Sequence, residues 1–110
     1  MAKAKADLLQ GTLELILLRI LRSGPLHGWD IMQRLQLVSG EVLSVTPGAL
    51  YPALHRLEER EFIVATWGPS ENNRKAKFYE LTAAGRKQLE TQRKQWELFS
   101  GAVTTVLRDA

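Results

Sequence analysis

The chain has 110 residues, 45% hydrophobic and 25% charged, a size that fits one small domain with a modest core. It has no cysteine, which excludes disulfides, thiolate metal sites and cysteine nucleophiles. Its formal net charge of +3 is compatible with nucleic acid, but the placement of the cations decides that question.

No apolar run approaches the roughly 20 residues of a membrane span. The start, MAKAKADLLQ, lacks the apolar stretch and small-residue cleavage site of a secretory leader. A cytoplasmic protein with no membrane partner is expected.

Leu8 to Arg22 (LLQGTLELILLRILR) is apolar almost all round, interrupted in its later part only by Glu14, Arg19 and Arg22. Such a helix is buried on most sides, in a core or between subunits. Ser23-Gly24-Pro25 supplies its stop signal. A second helix is predicted from about His27 to Val38, with Ile31, Leu35 and Val38 on one face. His27 reads as a cap or packing residue. Val42, Leu43 and Val45 are available for a small strand after Gly40.

The segment TPGALYPALHRLEERE, from Thr46 to Glu61, predicts a third helix. Thr46 suits the N-cap and Pro47 the first helical position. Leu50, Ala53, Leu54 and Leu57 form an inward stripe. Pro52 removes an N–H and disfavours helical geometry at Tyr51. A kinked or irregular first stretch is therefore expected, within one helical element.

The period then shifts from 3.6 to 2. Phe62–Trp67 and Lys77–Thr82 are predicted strands, joined by the polar stretch GPSENNRKA. The long connection should project and be mobile. Thr82 caps a last helix, from about Ala83 to Leu107. Leu89, Gln92, Trp96, Phe99, Val103 and Val106 are spaced 3, 4, 3, 4, 3 along it, a coiled-coil-type seam that calls for a partner.

Three helices, a hairpin and a long helix make a mainly α (α+β) winged helix-turn-helix. Residues 1–82 would form the DNA-binding domain and residues 83–110 the dimerisation helix of the same compact unit. On the third helix, Gly48, Pro52, His55 and Glu59 face away from the stripe, with Tyr51 and Arg56 on the flanks. Small residues admit a close ligand, a helix N-terminus favours phosphate, and His55, Arg56 and Tyr51 supply donors. Patterning alone leaves open that this face is merely solvated. In the same way, Asn72, Asn73, Arg74, Lys75 and Lys77 alone could be a solvated turn. One shared face on a winged fold would make them phosphate contacts.

No nucleophile, base and orienter come together, and no glycine loop cradles phosphate. No enzyme, no cofactor and no metal site are expected. A protein-interaction module on the same fold is the rival reading.

Four stretches carry a family resemblance: GTLELILLRIL, GPLHGWDI, GALYPALHRLE and ENNRKAKFYELTAAG. Together they cover most of the chain from Gly11 to Gly85. The chain resembles the PadR family of transcriptional regulators, in its short form with a single C-terminal helix. Trp29 departs from the pattern, since tyrosine is common there, but an aromatic is kept. The resemblance implies a homodimeric repressor on a palindromic double-stranded operator. Candidate DNA contacts are Thr46, Gly48, Ala49, Tyr51, Pro52, His55, Arg56, Asn73, Arg74, Lys75 and Lys77. It also implies that the last helix joins the subunits through Leu89, Gln92, Trp96, Phe99, Val103 and Val106. In some PadR-like multidrug-responsive repressors paired tryptophans form a flat slot, so the resemblance offers Trp96 as a site for a small aromatic or hydrophobic effector. The alternative is that Trp96 only packs the dimer interface.

Overall fold

The computed structural model describes residues 10–110 and contains four helices and a three-stranded sheet. Helix α1 spans Gln10–Leu21, so the predicted start at Leu8 lies outside the described residues. Leu13, Leu17, Leu18, Ile20 and Leu21 are buried, as an apolar helix requires. Gly24, at φ 136°, turns the chain out of α1 in a conformation that other residues rarely adopt.

Helix α2 spans Gly28–Val38, and His27 Nδ1 accepts the Asp30 N–H at 3.3 Å. The cap expected of His27 is present. Ile31 and Leu35 are buried, but Val38 is exposed because α2 runs past the edge of the core. Gly40 and Glu41 both take positive φ, and the Ser39 hydroxyl accepts the Leu43 N–H at 3.0 Å. This tight return consumes the backbone that a strand over Val42–Val45 would need. That strand does not form, although Leu43 and Val45 pack against the core.

The short strand is instead β1, Leu26–His27, which the sequence reading missed. It pairs antiparallel with β3, Lys75–Leu81, at Tyr79 and Phe78. Strand β2, Ile63–Pro69, pairs with the other side of β3 from Ile63↔Leu81 to Pro69↔Lys75. The hairpin thus reaches two residues beyond the predicted end of its first strand and starts its second two residues early. Only residues 70–74 remain as the tip. Ser70 N–H donates to the Arg74 carbonyl at 2.7 Å and Asn73 N–H to the Ser70 carbonyl at 2.9 Å. Asn73 takes φ 61°, which asparagine tolerates better than most residues.

Helix α3, Pro47–Glu59, is unbroken and α-helical through Pro52. The expected irregular stretch is absent from its secondary structure. Pro52 lies in the second turn with its ring exposed. The carbonyl it leaves unbonded, that of Gly48, belongs to an exposed residue. Water can satisfy it without a break. Leu50, Ala53, Leu54 and Leu57 are all fully buried.

Helix α4, Ala83–Asp109, begins where Thr82 Oγ1 accepts the Gly85 N–H at 3.0 Å and donates to the Glu61 carbonyl at 2.7 Å. One hydroxyl thereby joins the start of α4 to the turn before β2. The core lies between α1, α2, α3, the sheet and the first turns of α4.

Candidate nucleic-acid interface

The outward face of α3 is open. Gly48, Pro52, His55 and Glu59 are exposed along it, and Thr46 and Ala49 are exposed at its leading end. Thr46 occupies the N-cap, but its side chain makes no capping hydrogen bond. His55 Nε2 lies 3.7 Å from Glu59 Oε1, and both side chains are mostly in solvent. Such a contact contributes little and yields readily to a ligand.

On one flank, Tyr51 leans over the start of α2. A Cβ on Gly28 would collide with the Tyr51 hydroxyl and ring. The buried glycine after His27 is thus what lets the tyrosine pack there. Tyr51 also borders a cleft of about 820 Å³ between α2 and the hairpin, lined in part by Trp29, Trp67, Lys75, Lys77 and Tyr79. Trp29 and Trp67 are largely exposed. Tyr79 is buried in the cleft floor. Burial, then the charge of Glu58 and the neighbouring Tyr51, raise its phenol pKa, so it stays neutral.

The wing cations divide into two kinds. Lys77 Nζ lies 3.3 Å from Glu58 Oε1 and 5.6 Å from the centre of the Tyr79 ring. It is held against α3. Arg74 at the tip, with Asn72 and Asn73, and Lys75 at the start of β3 are exposed and form no ion pair among the described residues. They are the cations free to meet a phosphate.

Arg56 lies on the flank of α3, where the helical repeat places it, and is paired there. Its Nε donates to Glu14 Oε2 at 3.3 Å, while Arg60 Nη1 donates to Glu14 Oε1 at 3.2 Å. Glu14 is 5% exposed. Arg56 is therefore tied to the flank of α3 that meets α1. Glu14 and Arg60 were absent from the sequence-based site. A lone carboxylate in an apolar helix, and two arginines four apart, were the available signals.

The seam on α4 divides along its length. Leu89 is buried in the chain's own core, and only the later positions remain free. Gln92 is half-buried, with Oε1 buried and unbonded. Trp96, Phe99, Val103 and Val106 are each at least 40% exposed. The Trp96 and Phe99 rings sit 6.1 Å apart at 39°. They line a shallow groove against α1 with Gly11, Thr12, Leu15 and Gln92. A neighbouring, mainly apolar pocket of about 310 Å³ lies among Leu15, Ile16, Ile20, Leu35, Leu43 and Leu89, with Arg19, Ser39 and Arg93 also lining it. Among the described residues no helix is long and apolar enough to cross a membrane, and no three His, Asp or Glu side chains converge as metal ligands.

This arrangement of helices, hairpin and long last helix is shared by solved winged-helix transcriptional regulators. A PadR-like transcriptional regulator from Bacillus cereus superposes with a TM-score of 0.80 at 28% identity, over 96% of this chain and 100% of that one. A transcriptional regulator from Clostridium thermocellum gives a TM-score of 0.81 at 25% identity, over 91% and 97%. In sequence, an uncharacterized 37.1 kDa protein of transposon TN4556 from Streptomyces fradiae is 37% identical over 90 residues. The match takes in 82% of this chain but spans 24% of that protein. Residues 17–91 match the model of the transcriptional regulator PadR-like family. The chain belongs to that family.

Proposed function

We propose that this PadR-like regulator binds a palindromic DNA operator as a homodimer and represses the genes beside it. The observation that carries the reading is the exposed face of α3, set beside a wing whose free cations are Arg74 and Lys75. Helix α3 enters the major groove through Gly48, Ala49, Pro52 and His55. Thr46, Tyr51 and the wing tip hold the flanking phosphates. Lys77 acts from behind the tip, after exchange from Glu58.

The dimer forms through the exposed part of the α4 seam, with α1 contributing around Leu15. A twofold axis then sets two half-sites about one helical turn apart, on the order of 10 bp. A small planar or hydrophobic effector enters beside Trp96 and releases the operator. It must bind the released state more tightly than the DNA-bound one, and operator must weaken effector binding by the same factor.

Selection of bound duplexes from a random pool tests this reading. A palindromic consensus with salt-sensitive affinity supports it. Retention without sequence preference, or none at all, sinks it and leaves the protein-interaction module.

A further inference from the structure

Glu14 is the one buried charged side chain among the described residues. It stands on α1 between Leu13 and Leu15, and Leu13, Leu17 and Leu18 around it are buried. A carboxylate taken out of water is tolerated only when well paired. Its two oxygens are shared between Arg56 Nε at 3.3 Å, from α3, and Arg60 Nη1 at 3.2 Å, from the residue that caps the C-terminus of α3 one turn on. Arg60 also lies over the Phe62 ring, 5.1 Å from its centre. Both guanidiniums are drawn to the α1 flank, although Arg60 is still half exposed.

Apolar residues of similar volume would join α1 to α3 as well as an ionic cluster does, or better. The cluster therefore calls for another reason. A free arginine on the flank of a reading helix reaches phosphates on any sequence. It adds affinity without selectivity. A tethered one does not, and the tether also fixes how α3 is rolled about its axis. We infer that Glu14 is a positioning residue for operator selectivity, withholding Arg56 and Arg60 from sequence-independent phosphate contacts. The inference rests on the operator reading above.

The test compares the full-length wild type and Glu14→Gln on the selected operator and on a scrambled duplex, across several salt concentrations. In Glu14→Gln the operator-to-scrambled affinity ratio falls about tenfold or more. The log–log salt slope on scrambled DNA steepens by about 0.9 for each phosphate newly contacted. Arg56→Gln with Arg60→Gln, added to Glu14→Gln, returns that slope to the wild-type value. Simple loss of folded protein scales both affinities alike and moves neither ratio nor slope.

Should Glu14→Gln not fold, the apolar triple variant Glu14→Met, Arg56→Leu, Arg60→Met serves instead. A wild-type salt slope on scrambled DNA supports the inference. A slope flattened by about one contact or more overturns it, because the arginines then touch DNA in the wild type. A folded Glu14→Gln with wild-type ratio and slope also overturns it. A wild type that selects no sequence removes the operator reading first, and this inference with it.

Discussion

Two arginines in this chain carry the same charge and have different surroundings. Arg74 stands free at the wing tip, whereas Arg56 is tied to a buried carboxylate. Arg74→Ala or Lys75→Ala should weaken binding to every sequence and flatten the salt slope by about one contact, as measured by titration at several salt concentrations. His55→Ala should behave otherwise. If the imidazole reads a base, it costs about 1–3 kcal/mol on the preferred operator and much less on scrambled DNA. Equal losses on both duplexes would assign His55 to the backbone. The outward position of His55 was legible from the 3.6-residue repeat, since the buried stripe of α3 fixes the opposite face. The tether on Arg56 was not, because its partner lies 42 residues away on another helix.

At the scale of elements, the structure joins pieces that the sequence reading kept apart. Strand β1 splices the loop before α2 onto β3, so α2, α3 and the wing share one frame. A two-residue strand has no period to detect, and its pairing is decided by β3. The packing of Gly28 under Tyr51 follows from that frame. Gly28→Ala should leave the core intact, because the collision is with the far end of one side chain. It should displace the Tyr51 hydroxyl and lower operator affinity several-fold, with stability lowered by no more than the ~1–3 kcal/mol of an overpacked site. A large loss of stability with normal affinity in the folded fraction would show that Tyr51 only packs.

Helix α4 offers a second contrast of this kind. Leu89 has the spacing of a seam residue yet serves the core, because α4 starts against Phe62 and α1 before running free. Periodicity reports which residues share a face, not what covers it. For Trp96, planar aromatic compounds should quench tryptophan emission in the wild type and in Trp67→Leu but not in Trp96→Leu. Quenching that survives Trp96→Leu would place the ligand elsewhere.

The described residues extend 55 × 35 × 21 Å, and α4 accounts for much of the longest dimension. Its 27 residues make a rod of about 40 Å, and residues 101–110 are exposed throughout. A helix end without tertiary cover is only marginally stable in water. Helicity should therefore fall on dilution through the dimer dissociation range, and amide exchange in residues 101–109 should accelerate with it. Concentration-independent helicity and exchange would mean that the seam needs no second copy. The fold class was readable because five elements followed one another with clear periods and caps. The proposed assembly rests on an apolar strip left open, which only the three-dimensional arrangement separates from the core.

The order β1-β3-β2 leaves the outer side of β2 as a free edge. Exposed backbone of that kind invites strands from other molecules. Pro69 closes the far end of β2 and has no N–H to offer an incoming strand. The proline at the base of the wing tip thus guards against edge-to-edge aggregation, in a protein whose proposed work is to bring two copies together by a different surface.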